Sequence, residues 1–282
     1  MKISLVTTIM PEYTLEEIAK IASDIGYQGL EIRVKDTTKK EKTKGYSFWG
    51  NHKFDLGVSN LSNKASYAKE TCDKYKLEIC MLATYLFPSD FEKIEEVCKN
   101  MSTLGCRKLR VWAPFFRGNA DYKKILSLTI KDLTRVEKIV KRYKVQAVLE
   151  IHHGTIASSA SLAFQIVKDF DPKYIGVIYD PGNLVIEGFE NYNIGLQLLN
   201  KYVAHVHIKN SKLIIKGKRA DKSKIWVGKF CNMLEGFADI RQFVKDLKNT
   251  GYKGWLSNED FSTRVTREKL QADYKYLRDI AK

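Results

Sequence analysis

The run VQAVLEIHHGTIASSASLAFQIVKDFDPKYIGVIYD, residues 145–180, holds one complete unit of the architecture. VQAVLEI (145–151) and YIGVIYD (174–180) are apolar runs of strand length, and a helical pattern opens near Ser159 between them. Two strands joined by a helix lie parallel, because the crossover returns the chain to the end from which it started. The first strand finishes on Glu150, His152 and His153, the second on Asp180. Strand ends meet solvent and collect polar groups. Yet the chain has only five histidines in 282 residues, and two of them stand side by side here.

The same unit recurs in both directions. KISLVTT (2–8) is followed by a capping box, Thr14 to Glu17, and an amphipathic helix ending near Gly26. GLEIRV (29–34) leads through a basic loop to a helix over 62–76. LEICMLAT (77–84) precedes a second capping box, Ser89 to Glu92, and a helix closing at Gly105, and KLRVWA (108–113) precedes a long helix to residue 143. Beyond residue 180 a helix opens near Tyr192. VAHVHIKN (203–210) then leads through a loop to a helix opening at Asp239, and GWLSNED (254–260) precedes the last helix. Eight strands alternating with eight helices predict the α/β class, a closed (β/α)8 TIM barrel forming a single domain over residues 1–282. No G-x-G-x-x-G opens a helix, so the dinucleotide-binding alternative lacks its fingerprint. GYQGLE (26–31) and GYKGWL (251–256) echo each other: a glycine caps the preceding helix and a tyrosine covers the strand's lower end.

Composition narrows the class further. The hydrophobic fraction of 44% is ordinary for a globular core, and five prolines form no linker. Five cysteines without a C-x-x-C pair read as small apolar residues, neither a disulfide frame nor a zinc knuckle. The opening MKISLVTTIMPEYT is too short in its apolar run for a signal peptide. No run approaches the ~20 apolar residues of a membrane span, so a cytoplasmic protein without a membrane partner is expected. The net charge of +15 suits nucleic acid or a phosphorylated substrate, but the lysines are dispersed along every helix and read as surface preference. The densest basic run, KDTTKKEKTKGYSFWGNHK from Lys35, reads as a long loop that carries Phe48 and Trp49.

In such a barrel the C-terminal strand ends converge on the face where active sites form. Those ends carry Glu31 and Arg33, Arg110, Glu150 and His152, Asp180, His205, His207 and Lys209, and Glu259. Alternation puts Glu150 and His152 on one face, and likewise His205, His207 and Lys209. His153 is expected to point away from the site, and His205 to pack or hydrogen-bond inside the barrel. Three carboxylates and an imidazole on strands five to eight form one arc. Carboxylates that close repel unless a cation sits among them, and an oxygen-rich set with one nitrogen suits Mn²⁺, Mg²⁺, Co²⁺ or Zn²⁺. Each member also has a plain structural use: Asp180 before Pro-Gly-Asn as a turn former, Glu259 beside Asp260 as a helix-start charge, and Arg110 and Trp112 as packing under the fourth helix.

The ordered set LEIHHGT, IGVIYDPGN, AHVHIKN and GYKGWLSNED resembles the xylose isomerase-like, sugar phosphate isomerase/epimerase superfamily of TIM barrels. The resemblance spans essentially the whole chain and is strongest over residues 145–260. It implies one divalent metal ion held by Glu150, Asp180, His207 and Glu259, with Glu150 and Glu259 also serving as the catalytic acid/base pair. It further implies that His152 and Lys209 face substrate. Arg110, Trp112 and Trp49 are candidate substrate contacts, and Phe48, Phe115 and Phe116 candidate walls. The endonuclease IV branch resembles the same fold but needs further His and Asp ligands for three zinc ions. Here Asn183 stands where its Asp-x-x-His motif would put histidine, His52 lies in a loop, and Asn210 replaces an aspartate often found after His-x-His-x-Lys.

Four ligands with open positions let an ion chelate an α-hydroxy carbonyl and acidify the neighbouring C–H, which leads to an enediolate. The expected activity is therefore metal-dependent isomerisation or epimerisation of a small sugar or its phosphate. An inosose dehydratase-type lyase is the alternative, and an endonuclease IV-like nucleic-acid-processing role comes third. A small carbohydrate is the expected partner, no specific nucleic acid is, and a homo-oligomer is compatible with the sequence.

Overall fold

The computed structural model describes all 282 residues. Eight parallel strands close into a barrel: β1 (Lys2–Val6), β2 (Gly29–Val34), β3 (Glu78–Thr84), β4 (Lys108–Val111), β5 (Gln146–Glu150), β6 (Ile175–Tyr179), β7 (Val203–Ile208) and, after an inserted hairpin, β10 (Trp255–Asn258). Each pairs with its predecessor, and β10 closes on β1 with Ser4 opposite Ser257. The hairpin, β8 (Asn210–Lys218) and β9 (Lys224–Cys231), is a separate antiparallel pair. All residues of β2 and β6 are buried, as strands covered on both faces require.

The helices are α1 (Leu15–Ile25), α2 (Lys39–Lys42), α3 (Leu61–Lys74), α4 (Phe91–Asn100), α5 (Tyr122–Tyr143), α6 (Ala160–Val167), α7 (Pro181–Ile186), α8 (Tyr192–Leu199), α9 (Ile240–Asn249) and α10 (Arg267–Ala281). Their apolar stripes face the strands. On α9, Ile240, Phe243, Val244 and Leu247 recur at helical spacing and are buried. Val148 and Ile178 lie on the strand face that also carries Glu150 and Asp180, and form a small cluster with Cys80 and Met81. That apolar layer floors the charged strand ends above it. No helix is long and apolar enough to cross a membrane.

Four local expectations change. The Thr14 box forms as expected, but the Ser89 box does not. Asp90 is the residue before α4, and its carboxylate accepts from the Phe87 backbone N–H instead. The helix stops at Asn100, and Gly105 ends the turns that follow with a left-handed φ of 63°. The basic loop contains one helical turn, α2, capped by Thr38 and Glu41. The segment after β7 pairs into the hairpin rather than forming a loop, and the helical turn α7 follows β6 directly.

His52 gives a pH prediction. Its ring is buried under this loop, with Nε2 3.0 Å from the Phe48 carbonyl oxygen. Burial, then the charge of Arg33, push it down to about 4. The native state therefore keeps His52 neutral, while the unfolded chain takes up its proton below about 6.5. Its contribution is present above that value and is lost as pH falls toward 4. By pH 4.5 the loss should reach ~2–3 kcal/mol. Urea unfolding at pH 7 and 4.5 should show a smaller loss for His52→Gln than for the unchanged chain.

Candidate metal centre

The site is assembled by local structure at four strand ends. Asp180 follows β6 and caps α7: its Oδ1 accepts from the backbone N–H groups of Gly182 (3.0 Å) and Asn183 (3.1 Å). Pro181 sits at the first helical position, where a missing N–H is harmless. This capping leaves Oδ2 free to face the barrel axis. Gly182 is required sterically, because a Cβ there would lie 2.7 Å from the Lys209 carbonyl oxygen.

One ligand atom from each of Glu150, Asp180, His207 and Glu259 lies within 4.8 Å of the others, and all four residues are buried. His207 Nδ1 faces Glu150 Oε1 at 3.3 Å, Glu259 Oε2 at 3.3 Å and Asp180 Oδ2 at 3.8 Å. The quartet expected to hold a metal is therefore brought to one point. Asn183 stitches it together: its amide donates to Glu150 Oε1 (3.1 Å), Asp180 Oδ2 (2.9 Å) and the Ile151 carbonyl (3.1 Å).

Buried carboxylates need cations, and two stand among them. Lys209 Nζ lies 2.6 Å from Asp180 Oδ2, 2.5 Å from Glu259 Oε2 and 3.6 Å from Glu150 Oε1. Arg110 donates to Glu150 Oε2 at 2.8 Å. Burial would raise Glu150, but Arg110, Lys209 and His207 hold it well below the usual carboxylate range. Burial pushes Asp180 up to about 7; Lys209 opposes this, while Glu150 and Glu259 add to it. Burial would lower His207, but Glu31, Glu259 and Glu150 outweigh it and raise the imidazole well above its ordinary value. The donor set is thus short of positive charge, with an ammonium and an imidazolium proton standing where one would go. Three carboxylate oxygens and one imidazole nitrogen around a common point fit one hard or borderline divalent ion.

A second buried group, Glu31, His205 and His207, lies directly below. Glu31 is fully engaged by its neighbours: His207 Nε2 is 3.0 Å from Oε1 and His205 Nε2 is 3.0 Å from Oε2. His205 also meets the Ser257 hydroxyl at 2.8 Å, the hydrogen-bonding role expected of it. This group does not border the cavity above, whereas Glu150 and Glu259 do. An imidazole whose Nε2–H is given to Glu31 presents its Nδ1 lone pair upward to the quartet.

That cavity, about 290 Å³, is lined by Arg110, His152, Lys209, Trp112 and Trp49 among others. All five expected substrate contacts therefore border it. Phe115 lines it too, but Phe48 and Phe116 do not; Phe48 packs on Phe261 and Phe116 on Tyr122. His153 corrects the sequence expectation. β5 ends at Glu150 and the chain then turns, so strand alternation no longer governs it. Its ring stacks on His152 at 4.2 Å, its Nδ1 meets Asn183 Oδ1 at 3.1 Å, and it lines the cavity. The sequence also left Tyr85, Phe230 and Phe261 out of the site. Phe230 arrives on the hairpin and, with Phe261, covers the Lys209 ammonium at 5.6 Å.

Residues 19–280 match the family model described as xylose isomerase-like TIM barrel. The chain belongs to that family. Family members of known structure share the fold at low identity. The 3-keto-D-glucoside 4-epimerase from E. coli superposes with a TM-score of 0.72 at 15% identity, covering 99% of each chain. The IOLI protein, whose structure holds a zinc atom, superposes with a TM-score of 0.73 at 17% identity, covering 100% of this chain and 98% of its own. By sequence, an inosose dehydratase of Geobacillus thermodenitrificans is 27% identical over 137 residues, 46% of this chain and 45% of that enzyme. The chain spans about half the length of the curated relatives it matches.

Proposed function

We propose that the chain is a divalent-metal-dependent enzyme that moves a proton at the carbon next to the carbonyl of a small polyhydroxy ketone, as an isomerase or epimerase. The observation that carries this is a pair of carboxylates, Glu150 and Glu259, which border one cavity and also share a point with Asp180 and His207. When bound by Glu150, Asp180, His207 and Glu259, a divalent ion would polarise the carbonyl and acidify the adjacent C–H. One of Glu150 and Glu259 takes the proton and the other returns it. Arg110 keeps Glu150 ionised and ready to accept.

The cavity wall suits hydroxyl groups. Burial pushes His152 down to about 4, so it is neutral at pH 7. Its Nδ1 donates to the His153 carbonyl at 2.7 Å, which leaves Nε2 as an acceptor for a substrate hydroxyl. Trp112 Nε1–H is buried without an acceptor and borders the cavity, an indole donor left for the substrate. Lys209 supports negative charge developing on the substrate oxygens.

Glu31 acts through His207 rather than on the substrate. By accepting from Nε2 it fixes the tautomer and aims Nδ1 at the ion. Glu31→Ala should weaken Mn²⁺ binding about 10–100-fold, and Glu31→Gln, which can still accept from Nε2–H, should lose less. Calorimetric Mn²⁺ titration decides it; unchanged affinity in Glu31→Ala would remove the orienting role.

A dehydratase is the second reading, favoured by the inosose dehydratases among the sequence relatives. It uses the same proton abstraction and then expels a hydroxyl. Product analysis by NMR in D₂O on a panel of ketoses and inososes separates the two. An isomerase or epimerase returns a deuterated isomer of equal composition, and a dehydratase returns a product that has lost water. Turnover without deuterium at the carbon next to the carbonyl would sink the proton-transfer reading in both versions.

A further inference from the structure

Arg33 is 3% exposed, yet its guanidinium has no carboxylate within ion-pair distance. Nη2 donates to the Gly50 carbonyl at 2.9 Å, and Nε is sealed from solvent with no acceptor. Burying an unpaired charge is strongly unfavourable, so buried cations are normally matched. The neighbouring cations obey that rule: Arg110 holds Glu150, and Lys209 holds Asp180 and Glu259. A neutral donor could tie down Gly50 equally well, so anchoring the loop does not explain a charge here.

The position of Arg33 supplies the explanation. It lies two residues beyond Glu31 on the same face of β2, about 6–7 Å further toward the barrel mouth. Its guanidinium stands 5.6 Å from the ring of Tyr85, a cavity wall, while Arg110 at 5.1 Å and Lys35 at 5.8 Å approach the same ring. Arg110 is neutralised by Glu150 and Lys35 by Glu41 at 2.5 Å. Arg33 alone of the three has no anion. With a divalent ion in the quartet, the carboxylates of Glu31, Glu150, Asp180 and Glu259 face that ion together with Lys209, Arg110 and Arg33. This leaves one positive charge in excess. The depressed His52 beside it registers the same unneutralised charge.

We infer that Arg33 binds an anionic group at the end of the substrate remote from the chelating oxygens, so that the substrate is an acidic ketose carrying a carboxylate or a phosphate rather than a neutral sugar. The inference rests on the proposed chelation of an α-hydroxy ketone at the quartet. A planar fork of N–H donors matches either oxyanion.

Calorimetric titration of the manganese-loaded protein with D-fructose, D-fructuronate and D-fructose 6-phosphate tests it, because the three share the α-hydroxy ketone and differ only at C6. At least one acid should bind tenfold or more tightly than fructose, and the acid preferred tells carboxylate from phosphate. Arg33→Gln should erase the advantage and Arg33→Lys should keep only part of it; should Arg33→Gln fail to fold, the reduced advantage in Arg33→Lys serves in its place. Equal binding of all three, binding of none, or an advantage that survives these substitutions undiminished would overturn the inference. Manganese content of the same samples separates the failures. Protein without manganese that still prefers an acid refutes the metal reading and leaves Arg33 standing, whereas protein with manganese that ignores C6 refutes Arg33.

Discussion

Replacing either Glu150 or Glu259 with glutamine should cut exchange of the substrate's carbon-bound proton with solvent by about a hundredfold or more, while metal content falls only in part. Glutamine keeps an oxygen at the ligand position but has no basic lone pair at neutral pH. Both residues border the cavity and both reach the quartet, so neither can take over the other's side of the substrate. The measurement is deuterium wash-in by NMR, with metal content determined on the same samples. Loss of exchange in one variant only would reduce the acid/base pair to a single base and favour elimination over epimerisation. Full exchange in both would move the proton transfer to other residues.

The second large effect concerns Lys209. Its ammonium is buried under Phe230 and Phe261 and touches the carboxylates of Asp180 and Glu259. Removing one partner of a buried ion pair costs about 3–5 kcal/mol. Metal-stripped Lys209→Met should therefore melt about 5–15 °C below the metal-stripped parent. Added Mn²⁺ restores the missing positive charge, so the variant should gain more melting temperature from the ion than the parent does. Protonation of Asp180, already pushed up to about 7, absorbs part of the loss below neutral pH. Differential scanning calorimetry with and without Mn²⁺ reads both effects. Equal melting of the stripped proteins would show that Lys209 is not the cluster's counter-ion.

The barrel and its quartet were legible in the sequence because both follow from strand periodicity. Period-two alternation put Glu150 and His152 on one face and His205, His207 and Lys209 on another, and parallel crossovers carry those ends to one rim. What escaped obeys no such period. His153 lies past the end of β5, where the chain turns and alternation no longer predicts direction. The hairpin's Leu213, Ile215 and Trp226 are exposed, so burial leaves no pattern there by which a strand would be recognised. With the hairpin unseen, Phe230 could not be placed over Lys209. The tie from Glu31 to His207 joins residues 176 positions apart across the barrel interior. Alternation places Glu31 inward but does not name its partner. The capping of α7 was half visible: Asp-Pro-Gly-Asn read as a turn, and the structure makes that turn the device that fixes Asp180 Oδ2.

The central claim is that Glu150, Asp180, His207 and Glu259 jointly hold one divalent ion. Its most direct test is elemental mass spectrometry of the purified protein after Mn²⁺ loading and exhaustive dialysis, run beside His207→Ala and Asp180→Ala. Circular dichroism should confirm that both variants are folded. The account predicts one equivalent of ion per chain in the parent and little in either variant. No retained ion in the parent, or a full equivalent in folded His207→Ala, would contradict it.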